Sequence, residues 1–224
     1  KKSLQAEFLV QPALGVGANQ GVNITIEVKA RYIYSVNTNV KFTSTIDGGT
    51  SQGSSPIYYS LGGSAFDFNA DLSTREYSDF KTPMLYSNKY GVRGFQVNYR
   101  NGNTFFNNSN SISYKIVESI MNRPVASEFF SNLYIGGFID MGTSMYGNSI
   151  YDKANVLNRR TIFSSTRALE IEIQALKNPF IISTGLELGT RIYNYPIKLS
   201  YAYGYEDQKF KKPLIHLDLG IPLF

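Results

Sequence analysis

The sequence predicts an all-β protein, specifically an antiparallel transmembrane β-barrel with about eight strands in this chain. Three observations predict this class. Apolar and polar residues alternate along most of the chain, the alternating runs are unusually long, and short turns alternate with long loops. A period of two residues is typical of strands, because successive side chains point to opposite faces. Short turns at one end and long loops at the other are typical of outer-membrane barrels.

The segment 21–36, GVNITIEVKARYIYSV, shows the alternation most clearly. Its even-numbered residues from Val22 to Val36 are apolar, whereas its odd-numbered residues, apart from Gly21 and Ile33, are polar or charged. Ordinary strands run about five or six residues, so an apolar face sustained for roughly fifteen indicates a thick apolar medium on that side. The alternative is a soluble β-sandwich whose polar face meets water.

The same alternation recurs along the chain, and no segment shows a convincing helical period. The predicted strands are 3–18, 21–36, 38–47, 109–121, 131–145, 179–193, 196–205 and 213–224. Residues 166–176 also alternate, but a ninth strand would reverse the last one, so we assign this run to an external hairpin arm. The prediction is one barrel domain over 1–224, with a long external or lumenal loop at 48–108 and an external loop at 146–178.

The composition argues against several functional classes. The chain has no Cys, a single His, and neither a GxSxG motif nor metal-ligand spacing, so we expect no enzyme activity, cofactor or metal site. His216 alternates with apolar residues of the last strand and is expected to be a satisfied lumenal residue. Basic and acidic residues are interspersed and give a net charge of only +5, which argues against nucleic acid as a partner.

Five motifs follow one another from residue 58 to the end of the chain. They are YYSLGG at 58–63, YGVRGFQVNYRNGN at 90–103, NRPVASEFFSNLYIGGFIDMGTSMYG at 122–147, NPFIISTGLELGTRIYNYPIKLSYAYGY at 178–205 and PLIHLDLGIPLF at 213–224. In this order they resemble the C-terminal barrel region of the bacterial surface-antigen superfamily. That superfamily includes BamA-like insertases, TamA-like assembly factors and two-partner-secretion transporters. The details resemble most a branch of large surface-exposed members.

The resemblance implies a sixteen-stranded barrel in which the VRGF loop folds back into the lumen. This chain would supply the C-terminal half, with further strands from an earlier segment or another chain. The residues support the loop independently, because Gly91 and Gly94 allow a tight excursion around Arg93, and Phe95 supplies an apolar plug. Asp140 alternates with apolar residues and so faces the lumen, where a bidentate contact with Arg93 would hold the loop.

Phe138 shares the parity of Asp140 and is expected beside it in the lumen. Gly220 and the terminal Phe224 are expected at the seam next to the last strand, where a client strand could pair. The resemblance implies a bacterial outer-membrane protein that assembles or transports proteins, with outer-membrane lipid and protein clients or accessory subunits as partners. The alternatives are a surface anchor that presents a binding domain or loops, and a passive pore.

Overall fold

The structure is a computed structural model, and it describes residues 2–14, 22–53, 56–63, 86–97, 99–121, 125–147, 149–150, 159–163, 170–174, 178–193 and 195–219. The strands are β1 (Lys2–Leu14), β2 (Val22–Ser35), β3 (Val40–Gly53), β4 (Tyr58–Leu61), β5 (Tyr86–Tyr90), β6 (Arg100–Gly102), β7 (Thr104–Lys115), β8 (Tyr134–Met145), β9 (Arg159–Phe163), β10 (Glu170–Gln174), β11 (Ile181–Ile192), β12 (Tyr195–Glu206), β13 (Lys209–Phe210) and β14 (Leu214–Leu219). Two short helices, α1 (Ile116–Met121) and α2 (Glu128–Ser131), lie between β7 and β8.

The main sheet is an antiparallel meander that follows the order of the chain. Its strands pair in the order β1-β2-β3-β7-β8-β11-β12, and both β13 and β14 pair with the far side of β12. The sheet is not closed, because in the described part of the chain β1 pairs only with β2 and β14 only with β12. Neither described helix is long and apolar enough to cross a membrane.

Each of the eight predicted strands has a counterpart in this sheet, although the bounds of several differ, and those of 109–121 differ at both ends. The strand predicted at 109–121 runs instead from Thr104 to Lys115, and helix α1 follows it. The alternation stops at this point, since the apolar residues Ile116, Val117, Ile120 and Met121 recur at the spacing of one helix face. In the region of the predicted hairpin arm, β10 pairs antiparallel with β9 in a separate sheet.

The loop predicted at 48–108 contains more regular structure than expected. Strand β3 continues to Gly53, strand β7 begins at Thr104, and between them β4, β5 and β6 form a separate sheet in the order β5-β4-β6. Gly, Thr, Ser and Gln make up the end of β3, so no apolar alternation marks it. Residues 48–50 pair with residues 104–106 of β7, a tertiary contact that propensity does not indicate.

One face of the main sheet, the apolar face, is exposed. Large apolar side chains project from β1, β2, β3, β7, β8, β11, β12 and β14 with more than a third of their surface open. They include Leu4, Ile24, Ile26, Val28, Ile46, Ile112, Ile135, Ile139, Leu186, Leu188, Leu199, Tyr201, Ile215 and Leu219. Ile139 is 57% and Leu186 61% exposed in the middle of the sheet. An apolar surface of this extent is rare on a protein that is surrounded only by water.

The opposite face, the polar face, is buried where the rest of the chain packs on it. Buried residues on this face are Asn23, Thr25, Asp47, Ser51, Asn107, Asp140, Ser183, Glu187, Ser200, His216 and Asp218. Facing pairs such as Asp140–Ser183 and Ser200–His216 in the strand register confirm that these side chains share one face. The sheet therefore has the reverse of the usual soluble arrangement, in which apolar side chains are buried and polar ones are exposed.

A glycine of β11 allows the central strands to pack closely. A Cβ at Gly185 would collide with the Tyr201 carbonyl and lie 2.8 Å from Phe138 Cζ, whereas a Cβ at Gly137 would meet its nearest neighbour at 3.8 Å. We predict that Gly185→Ala lowers the free energy of unfolding by about 1–3 kcal/mol, because backbone must move to make room. Denaturant unfolding, monitored by far-UV circular dichroism, measures the change in the free energy of unfolding.

Gly137→Ala is the matched control and should change the unfolding free energy by no more than about 0.5 kcal/mol. Equal effects of the two substitutions would contradict the close packing at Gly185.

Candidate functional site

The candidate site is the VRGF loop, residues 91–97, which lies across the polar face. Arg93 holds it there with a guanidinium fork, in which Nε donates to Asp140 Oδ2 at 2.7 Å and Nη2 to Asp140 Oδ1 at 2.8 Å. The backbone N–H of Arg93 also donates to Asp140 Oδ2, at 3.3 Å. Ser109 donates to Asp140 Oδ1 at 2.7 Å, so the carboxylate is held from two sides.

A second carboxylate completes the site. Arg93 Nη1 donates to Glu187 Oε2 at 2.6 Å, and the guanidinium carbon lies 3.4 Å from the centre of the Phe138 ring. Arg93 is 6%, Asp140 0% and Glu187 7% exposed, so these charges are removed from bulk water. We call Arg93, Asp140, Glu187 and Ser109 the Arg93 cluster. Buried charges of this kind are tolerated when they are paired and their remaining hydrogen-bonding groups are satisfied.

The glycine after Arg93 brings the loop backbone against the sheet. Gly94 has a φ of +81°, and a Cβ there would lie 2.7 Å from Gly204 N. A side chain would therefore be both strained and obstructed. The Gly94 N–H donates to His216 Nε2 at 3.0 Å, so the loop contacts β14 as well as β12.

Apolar packing secures the other side of the loop. Phe95 is buried with Tyr59, Leu61, Val92, Phe105 and Ile181 in one apolar cluster, and Tyr99 packs against it. Phe105 comes from β7 and Ile181 from β11, so this cluster joins the loop and the small β5-β4-β6 sheet to the main sheet. The loop is thus held by charge on one side and by apolar contact on the other.

A second ion-pair network ties the chain after the loop to the end of β12. Arg100 Nη2 donates to Glu206 Oε1 at 2.7 Å, and Lys211 Nζ lies 2.7 Å from Glu206 Oε2. Tyr99 donates to Glu206 and accepts from Lys211. Burial raises the pKa of Tyr99, and the hydrogen bond to Glu206 acts in the same direction. Burial opposes the charge on Lys211, but its contacts with Glu206 and Tyr99 outweigh this and raise its pKa.

The predicted contact between Arg93 and Asp140 is present, and Phe138 lies beside it as expected. Phe95 is buried at 1% exposure, as predicted for an apolar plug. His216 is satisfied on the polar face, also as expected. Of the two glycines, Gly94 has a positive φ and Gly91 does not. Gly220 and Phe224, predicted at the seam, lie outside the described residues.

Sequence reasoning missed two members of the Arg93 cluster, Glu187 and Ser109. Glu187 sits among small and apolar residues of β11, and its parity places it on the polar face, but nothing local indicates that it meets Arg93 across 94 positions. The one available signal for Glu187 was its position at the centre of a strand on the polar face, since a buried carboxylate there needs a cation.

The described residues contain no group of three or more His, Cys, Asp or Glu side chains placed to hold a metal ion. The chemical role open to the Arg93 cluster is to fix the loop, because one cation bridges carboxylates of β8 and β11.

No protein-family model, curated protein or solved structure matches this chain.

Removing the Arg93 charge should destabilise the protein strongly. We predict that Arg93→Met lowers the free energy of unfolding by about 3–5 kcal/mol, because Asp140 and Glu187 remain buried without their cation. Denaturant unfolding followed by circular dichroism is the measurement.

The triple variant Arg93→Met/Asp140→Asn/Glu187→Gln separates charge from packing. It should recover a large part of the lost stability, since neither carboxylate then carries an unpaired buried charge. A triple variant no more stable than Arg93→Met would mean that shape, and not ion pairing, holds the loop.

Proposed function

We propose that this chain forms part of the β-barrel of a bacterial outer-membrane protein. As the resemblance to the surface-antigen superfamily suggests, that protein would insert or translocate other proteins. The observation that carries the proposal is the reversed sheet, with an exposed apolar face and a buried polar face. Lipid chains are the medium that such an apolar face suits, and a polar lumen is what the other face suits.

The strand lengths support the same proposal. A strand tilted across a bilayer needs about 9–11 residues. Strands β2 and β3 have 14 residues each, and β7, β8, β11 and β12 have 12 each. They are therefore long enough to cross the apolar layer and extend beyond it.

The open edges of the sheet fit a barrel that is completed by further strands. In the bilayer every backbone N–H and C=O must be paired, so a free edge facing lipid is costly. Strands from another segment or another chain would pair with β1, and the edge formed by the terminal strand β14 is where a client strand would be received.

The anchored loop favours a machine over a passive pore. The VRGF loop contacts β7, β8, β11, β12 and β14 through side chains or close backbone approach, and so occupies space over five neighbouring strands. A channel for free diffusion needs that space empty. A surface anchor would need no such loop, but it would tolerate one.

Substitutions on the apolar face test the contact with lipid. We predict that Ile139→Glu lowers the yield of folded protein in phospholipid vesicles, because a carboxylate in the lipid layer costs on the order of 1–2 kcal/mol. Protection of the vesicle-bound protein from added protease measures the yield.

Ser111→Glu is the matched control, since Ser111 lies on the polar face of the neighbouring strand and pairs with Phe138, next to Ile139. It should insert like the wild type. If Ile139→Glu inserts as efficiently as Ser111→Glu, then water and not lipid covers the apolar face.

Planar-bilayer recording tests the role of the loop. The wild-type protein should give little or irregular current, and Arg93→Met should give larger and steadier current, because the loop loses its charged anchor. Lys209→Met, at an exposed position in the short strand β13, is the control and should behave like the wild type. A large, steady wild-type current would instead indicate a diffusion pore.

A further inference from the structure

A cavity of about 750 Å³ lies on the polar face, beside the β2–β3 and β11–β12 connections. Seven strands contribute to its wall, from β2 at one side to β14 at the other. In the strand order, five strands separate β2 from β14. Residues so far apart in the sheet can line one cavity only if the sheet curves, so the polar face is concave here.

The wall of this cavity is strongly basic. Within the described part of the chain it contains seven Lys and Arg side chains but two acidic ones, Glu187 and Asp218, an excess of five positive charges. Both acids already have cations, because Glu187 pairs with Arg93 and Asp218 with Lys198 at 3.2 Å.

Three of the remaining cations converge across the cavity. Arg31 comes from β2, Lys41 from β3 and Arg191 from β11. Each is exposed, none forms an ion pair with another described residue, and Lys41 is repelled by both arginines. An anion bound between these charges would be attracted by all three.

Small hydrogen-bond donors fill the floor between these cations. Thr43 and Thr45 on β3 and Ser111 and Ser113 on β7 line the cavity. Their hydroxyl groups can donate to oxyanions, and arginine guanidinium groups bind phosphate through paired N–H donors. The wall is thus made largely of donors and positive charge.

We propose that this cavity binds a small polyanion that carries several phosphate groups. The volume falls within the range of about 300–1,000 Å³ that is typical of small-molecule sites. The site uses only the polar face, so it does not depend on what covers the apolar face.

Calorimetric titration of the detergent-solubilised protein with inorganic tripolyphosphate at low salt tests the site. The wild type should bind saturably, and Arg31→Gln/Lys41→Gln/Arg191→Gln should bind about a hundredfold more weakly, because three charged donors are lost. These side chains are exposed, so the circular dichroism spectrum should not change. Absence of saturable wild-type binding would overturn the proposal.

The matched control removes three exposed positive charges outside the cavity, in Lys2→Gln/Lys209→Gln/Lys212→Gln. It should bind tripolyphosphate like the wild type. An equal loss in this control would show that binding follows the net charge and would overturn the site. Tighter binding of an oligoglutamate peptide than of tripolyphosphate would overturn the assignment to phosphate.

A final arm separates two sources of phosphate. Vesicles that contain phosphatidylinositol 4,5-bisphosphate, a lipid whose headgroup carries several phosphate groups, are offered to the wild type and to the cavity variant, Arg31→Gln/Lys41→Gln/Arg191→Gln. If the wild type binds them more tightly than the variant does, and tripolyphosphate competes, the ligand is a lipid headgroup. If tripolyphosphate binds but vesicle binding is the same for both proteins, the ligand is a free polyphosphorylated compound. Both results support the site.

Discussion

The buried guanidinium of Arg93 is the interaction on which the organisation of the polar face depends. Asp140 and Glu187 lie on different strands and are almost fully buried, so each needs a cation where water cannot supply solvation. Arg93 serves both, and it reaches them from the loop that crosses the polar face. These ion pairs fix the position of the VRGF loop, and with it that of Gly94 and Phe95.

The two faces of the main sheet have the reverse of the burial found in a soluble sheet, and this limits the interactions that can stabilise the fold. A soluble sheet gains stability by covering its apolar side, whereas here the polar side is covered and the apolar side is exposed. Among the described residues, buried apolar side chains therefore gather mainly in the local cluster around Phe95 and Tyr59. Elsewhere the loop and the residues after it are held to the main sheet by ion pairs and hydrogen bonds, in the Arg93 cluster and around Glu206.

The polar face is divided into two regions with different roles. The VRGF loop and the small β5-β4-β6 sheet cover one region, where glycines permit close approach and charges are paired. The other region is the basic cavity, where Arg31, Lys41 and Arg191 face open space. Arg93 and Glu187 belong to both regions, so they form the boundary between the anchored loop and the cavity.

The sequence by itself indicated the strands of the main sheet, though not all of their ends, and the face on which their alternating residues lie, and together with the family resemblance it predicted the contact of Arg93 with Asp140. A strict period of two fixes all side-chain directions once one is known. It could not locate Glu187 in the Arg93 cluster, extend β3 to Gly53, or bring Arg191 near Lys41. Those features depend on strand register and sheet curvature, which arise from contacts between residues far apart in the chain and which only the tertiary structure decides.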